Sequence, residues 1–436
     1  MMNFFDVTLA PPRADHILIA KYIVIVLSLM FVPYISTLFG STLLSLIYSF
    51  RGKNENNPMF SRLSQDIADT LMGGWGMAIV MGMLPIFTLA ACFAQMLYGA
   101  EVAIVQYMAV TLVAVVVSIV LAMWFKKSFN SREAHFTRHL GLGLLAIGAF
   151  HFAFFAFVSS VTVLTFPEKW PLITSAIPLT FDWNMVARLA HFITLTLAIT
   201  GAAMIFYFFN WMGGKEGVEG EYRDYIRKLG GGLTLAFTVL QTLFFVWYVA
   251  TLPEMAKSQD IYTLSVVSLA ILWGITVMAY FLLANSELKY GTVIFSLVMV
   301  FLLIVLVNEH IARESSLSYQ NYTLQKLSTE LEEKIALDRA QRGGAVASIE
   351  TGSEIYNAKC IACHRFDVKV VGPPYMSVLP KYKDDLASLK AFVLNPVKKN
   401  PEYPAMPNQG LKPHEAESVA MYLLQKYAEM SAEPAQ

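Results

Sequence analysis

Residues 357–374 read NAKCIACHRFDVKVVGPP, and they stand behind some three hundred residues dominated by Leu, Val, Ile, Phe and Ala. Cys360 and Cys363 flank two residues and His364 follows at once. At that spacing two thiols on one helical turn can add to the two vinyl groups of a haem while the next imidazole ligates the iron. A dithiol redox pair would not need the adjacent His, and a zinc site would need two further ligands where this segment offers only His414.

A second axial ligand is needed on the other face of the ring. YPAMPNQG, residues 403–410, presents Met406 between two prolines, held out of any regular element. Met376 in GPPYMSV is the alternative, but it follows His364 too closely to cross over the ring. PHEAESVAMYLLQKY, residues 413–427, then predicts a closing amphipathic helix. With its Gly-Pro after the motif and its Met-Pro loop, the tail resembles a class I cytochrome c, which implies one covalent haem c held by Cys360, Cys363, His364 and Met406.

Upstream, the chain of 436 residues is 56% hydrophobic and only 15% charged, a composition that excludes one soluble domain and reads as a membrane protein in contact with lipid. Its 32 basic and 32 acidic residues balance, so nothing in the charge calls for nucleic acid. Of three cysteines, Cys92 lies in an apolar run and reads as a small core residue. The first hydrophobic run is long and lacks a cleavage site behind a short core, which predicts a retained helix.

A bilayer core of about 30 Å takes about 20 apolar residues per helix. Eight stretches qualify: 16–49, 67–98, 102–125, 139–165, 184–212, 231–252, 261–285 and 288–310. The first exceeds one membrane thickness and should tilt or protrude. The predicted fold is all-α: a polytopic bundle of eight transmembrane helices over 1–311, a helical linker over 312–347, and a small helical haem c domain over 348–436. In the linker, Leu324, Leu327, Leu331 and Ile335 form one stripe, closed by Gly343 and Gly344 as stop and hinge.

Lys and Arg crowd the turns after spans one, three, five and seven, whereas the opposite loops hold only Lys169 and Lys257. By the positive-inside bias the first set is cytoplasmic. Both termini and the haem c domain are thereby expected in the periplasm of a bacterial inner membrane.

Histidines within spans are costly and are read as functional. His16 opens span one, His191 lies about two turns into span five, and His310 closes span eight, so all three are expected toward the outer surface, where they could hold b-type haems. His151, among Phe150, Phe152, Phe154 and Phe155, is a further candidate for a haem edge, and ordinary packing suits it equally. His135 and His139 read as a solvated cytoplasmic edge.

HILIAKYIVIVLSLMFVPYISTLFGSTLLSLIYSFRGK (16–53), FDWNMVARLAHFITLTLAITGAAMIFYF (181–208) and LVNEHIARESSLSY (306–319) together resemble subunit I of cytochrome bd oxidases over residues 1–314. The resemblance implies His16 at the high-spin haem pair, His191 at the low-spin haem, Glu309 or His310 at another high-spin iron, and Arg313 near propionates. It also implies two or more haem b groups, with haem d as a further possibility.

Departures accompany it. Only PEMAKSQD (253–260) joins spans six and seven where the family carries its quinol-binding insertion, and IYTLSVVSLAIL (261–272) shows no match to the family's axial Met. Val105 and Val113 stand where the family places carboxylates, and no Asp or Glu lies mid-span, so protons would have to enter from outside or by water. Two functions follow as expectations: a terminal reductase of O2 or another small oxidant fed by a cytochrome c rather than quinol, or a non-catalytic electron conduit in a larger respiratory complex. Both call for a soluble or membrane cytochrome c as partner and for an additional membrane subunit.

Overall fold

The computed structural model describes residues 13–99, 104–172, 183–341 and 346–432. Among them every regular element is a helix, and eight helices are long and apolar enough to cross a membrane. The chain divides into two compact units, Met1–Ser328 and Thr329–Gln436.

In the first unit α1 runs Ala14–Asn54. Its 41 residues span about 61 Å at 1.5 Å per residue, about twice a hydrocarbon core. A break follows, and α2, Pro58–Leu71, is a separate amphipathic helix. Asn57 caps it by accepting from the Met59 and Phe60 amides, and Phe60, Leu63, Ile67 and Leu71 make its buried stripe. Gly73, at φ +63°, then turns the chain into the second spanning helix, α3, Trp75–Met96. That span therefore starts later than the hydropathy run at residue 67 suggested, because the polar face of α2 ends only at the glycine turn.

The remaining spans are α4 (Ile104–Ser128), α5 (Phe136–Thr165), α6 (Trp183–Ile205), α7 (Gly220–Ala250), α8 (Gln259–Ala284) and α9 (Tyr290–Ser316). Helix α6 is the axis of the bundle: 72% of the most apolar window of its span is buried, against 28% for α8 and for α9. Small and hydroxyl side chains bring it close to its neighbours, as expected where apolar lipid supplies little force between helices. A Cβ on Gly40 of α1 would lie 2.0 Å from Thr200 of α6, and Thr200 Oγ1 donates to the Ser36 carbonyl at 3.1 Å. A Cβ on Gly201 would lie 2.7 Å from the Gly230 carbonyl of α7.

Helix α10, Ser318–Gln341, continues from α9 after Leu317. Its first half is fixed to the first unit by Leu324, fully buried, and by Gln320, which donates to the Tyr98 carbonyl at 3.1 Å. The stripe weakens toward Ile335, which is exposed. Gly343 and Gly344 fall outside the described residues.

The second unit is built on α11 (Ile349–Ile355), α12 (Leu386–Leu394) and α13 (Pro413–Ala432), with a π turn over Tyr356–Cys360 extending α11 into the Cys-x-x-Cys-His segment. Ser348 caps α11 by accepting from the Thr351 amide, and Asp385 caps α12 by accepting from the Ser388 amide. Tyr356, Phe366, Tyr375, Leu379, Leu389, Val419 and Leu423 close a core beneath the motif.

Candidate functional site

Cys360, Cys363 and His364 occupy one turn, held by the Cys363 and His364 amides donating to the Cys360 carbonyl at 3.1 and 2.9 Å. Neither cysteine is in a disulfide. The chain then folds back, and the amides of Val371 and Gly372 both close on the Cys363 carbonyl, at 3.2 and 2.9 Å. This return sets the imidazole. His364 Nδ1 lies 3.1 Å from the Pro373 carbonyl, which can only accept, so Nδ1 carries the proton and Nε2 is left as the ligating nitrogen. The Tyr375 ring stacks on it with centroids 5.1 Å apart.

Gly372 is dictated by this arrangement. A Cβ there would stand 2.1 Å from His364 Cε1, so only glycine lets the return strand pass the ring. Burial raises the Cys360 thiol above its ordinary value, with the Lys359 ammonium pulling the other way.

A cavity of about 440 Å³ opens beside the motif, lined by Cys360, Cys363, His364, Tyr375, Tyr382 and Met406. The loop carrying Met406 is pinned just after it. Asn408 donates to the Leu394 carbonyl at 3.2 Å and accepts from the Gly410 amide at 2.8 Å, while Lys359 donates to the Gln409 carbonyl at 3.4 Å. Met376 packs against the core and is not in the cavity wall. The residues fit a haem c: two free thiols, an imidazole with one nitrogen committed elsewhere, and a thioether line one cleft of ligand-pocket size.

The membrane unit has its own polar cluster, on α6, α7 and α9. Arg188 donates to Glu309 at 2.5 Å, Tyr248 donates to the other Glu309 oxygen at 2.6 Å, and the Arg188 guanidinium lies 4.8 Å from the Tyr248 ring centroid. His191, one turn beyond Arg188, stacks on the same tyrosine at 5.7 Å, and Gln241 reaches its Nδ1 at 2.7 Å. Arg313, one turn beyond Glu309, is 3% exposed and stands 5.3 Å from the Phe93 ring centroid. All but Gln241 line a cavity of about 110 Å³ whose other walls are Ser28 and apolar side chains of α1, α3, α5, α6 and α9.

The expected membrane haem ligands are thus brought together only in part. His191, Glu309 and Arg313 share the cavity. His16 is exposed on the first turn of α1, and His310, half-buried beside Tyr22, lies outside the cavity. His151 is exposed, with Nδ1 on the Ile147 carbonyl of its own helix at 2.8 Å. His139 differs from the expected solvated edge: it is fully buried, its two nitrogens paired with Ser49 and Ser128 at 3.1 and 2.6 Å, stacked on Phe125. Its neighbour His135 is exposed.

A porphyrin fits the membrane cavity poorly. A cavity of about 150 Å³ takes one benzene ring, so 110 Å³ is far too small for a tetrapyrrole, and it is a quarter of the tail cavity. Glu309 is also committed to Arg188 and Tyr248, and a His191 nitrogen to Gln241.

Arg188, Tyr248 and Gln241 were not singled out by the sequence reading. Arg188 carried a usable signal, a charge inside an apolar span three residues before His191 and so on the same helix face. Tyr248 and Gln241 carried none, since their role is set by packing across α7.

Comparison with known proteins bears on the tail. Residues 349–426 match the cytochrome c family profile. Over 78 residues the chain is 35% identical to cytochrome c-551 of Pseudomonas denitrificans, covering 17% of this chain and 95% of that protein. Through this segment the chain belongs to the cytochrome c family, with the covalent haem c and haem-based electron transfer that the domain implies.

Proposed function

We propose that this cytochrome c is a membrane-anchored, one-electron relay whose haem domain lies on the periplasmic side and passes electrons between a redox carrier of the membrane and a soluble or membrane-bound c-type partner. The observation that carries it is the His364 arrangement, with Nδ1 on Pro373 and the imidazole, both thiols and Met406 in one cavity wall. When bound, the haem supplies reversible one-electron chemistry at iron. The residues around it supply position: the Pro373 carbonyl fixes the imidazole tautomer, Tyr375 and Tyr382 form an aromatic wall, and the loop pinned by Asn408 presents Met406. A His/Met pair favours a raised potential, suited to accepting electrons.

The test is electron exchange by the purified full-length protein. Stopped-flow mixing with a reduced soluble c-type cytochrome should oxidise that partner and reduce the haem c one electron at a time. Absence of exchange with a folded, haem-loaded protein would overturn the reading.

A second reading, a cytochrome bd-like terminal reductase with haem b or d in the spans and a companion subunit, draws support from the shared placement of His191, Glu309 and Arg313. The size of that cavity and the prior commitments of His191 and Glu309 weigh against it. Carbon monoxide added to the reduced protein separates the two, since an open iron in the spans would shift a b- or d-type band.

A further inference from the structure

We infer that the turn joining α4 to α5, together with the end of α1, binds the phosphate of an anionic phospholipid. The inference stands apart from the electron relay and uses none of its residues.

Four cations gather there. Lys127 lies at the end of α4, Arg132 in the turn and Arg138 in the first turn of α5, while Lys53 closes α1 with its Nζ 4.1 Å from the centroid of Phe136, the first residue of α5. Among the described residues none of the four forms an ion pair. Arg132 meets only neutral oxygens, donating to Ser64 Oγ at 2.9 Å and to the Ser61 carbonyl at 3.2 Å. Of the carboxylates in the adjoining sequence, Glu55 is taken by Arg51 at 2.8 Å, and only Glu133 remains. Four cations against one carboxylate leave three positive charges, and Lys53, Lys127 and Arg138 are exposed.

Their relative positions are fixed from beneath. His139, fully buried, joins Ser49 of α1 at 3.1 Å and Ser128 of α4 at 2.6 Å, so one imidazole ties together the ends of the three helices that carry the charges. The patch is thereby organised before any ligand arrives, which lowers the cost of binding.

The surface beside the cations decides for a lipid over a soluble phosphate. Trp124, Val117 and Val113 are exposed on the face of α4 that ends in Lys127, and an exposed Trp beside a Lys marks headgroup level. On α5, beyond Arg138, Leu144 and Leu145 are exposed, and a Cβ on Gly141 or Gly148 would meet no atom within 4 Å. A free phosphate would satisfy the charges and leave these apolar faces bare. A phospholipid satisfies both, with acyl chains along α4 and α5. The surplus of cations selects an anionic headgroup, because the choline of a zwitterionic lipid brings a positive charge of its own.

The test uses the full-length protein in phosphatidylcholine nanodiscs doped with phosphatidylglycerol that carries a diazirine in one acyl chain, photolysed and mapped by mass spectrometry. Labelling is expected on α4 between Val113 and Trp124 or on α5 between Gly141 and Phe152, and the corresponding phosphatidylcholine probe should label there weakly. Lys127→Gln with Arg138→Gln should lower the phosphatidylglycerol labelling about thirtyfold, the scale of two cations facing an anionic lipid. Lys127→Arg with Arg138→Lys, which keeps both charges, should retain it. So should Lys228→Gln with Lys289→Gln, which removes two cations already paired with Asp224 and Glu287. Excess inorganic phosphate should not compete.

Equal labelling by the two lipids, or labelling unchanged in the double glutamine variant at the turn, would overturn the inference. An equal loss in the Lys228 and Lys289 control would reduce the effect to diffuse attraction and overturn it as well. Displacement by inorganic phosphate would assign the cations to a free anion instead.

Discussion

The imidazole of His364 turns its Nδ1 to the Pro373 carbonyl, 3.1 Å away, across a chain return that only Gly372 makes room for. The ligand atom of the motif is thereby oriented by backbone nine residues downstream, which joins Cys-x-x-Cys-His and the following Gly-Pro into one device.

Gly372→Ala should displace the imidazole without touching the thiols, because its Cβ would fall 2.1 Å from His364 Cε1. Haem should stay attached on a denaturing gel, while the visible spectrum of the native protein moves from six-coordinate toward weakened axial ligation. An unchanged spectrum would mean that the return strand yields and the glycine is incidental.

Met406→Leu should lower the haem midpoint potential and abolish the sulfur–iron charge-transfer band, since loss of the thioether removes the ligand that raises the potential. Met376→Leu should leave both unchanged, because Met376 packs in the core away from the cavity. The reverse pattern in redox titration would transfer the ligand role to Met376.

Cys360, Cys363 and His364 are a local motif, and the spans show by length alone, so both were legible. Met406 was legible because prolines on both sides hold it in a loop. The commitment of Glu309 to Arg188 and Tyr248 was not, since three separate helices must pack before those groups meet. The same holds for His139, whose two serines come from α1 and α4. The break at Gly73 was hidden because hydropathy runs through it.

Glu309→Ala should destabilise the membrane unit by about 3–5 kcal/mol, the cost of leaving a buried partner charge uncompensated, here Arg188 at 7% side-chain exposure. The thermal transition of the membrane unit should fall while the haem c spectrum is retained. Glu309→Gln, which can still accept from Tyr248 and Arg188, should lose less. Equal loss in both would show that charge rather than hydrogen bonding dominates.

Asp385 predicts a small acid dependence of the haem domain. Its hydrogen bonds to Ser388 hold the carboxyl below its ordinary range. A depressed folded-state value contributes stability that is present above the unfolded carboxylate range and is lost as pH falls through the folded one. Asp385→Asn keeps a good cap without the titration. Its melting temperature should therefore fall less steeply than wild type on acidification, as followed by circular dichroism; parallel curves would exclude the contribution.

We propose that the haem of this chain is the one held covalently at Cys360 and Cys363, the cavity described among the spans being too small for a tetrapyrrole. A pyridine haemochrome count on the purified full-length protein tests it most directly. It should give one haem c per chain and no stoichiometric haem b, with Cys363→Ser weakening the haem-stained band on a denaturing gel. Absence of haem c, or haem b in stoichiometric amount, would contradict it.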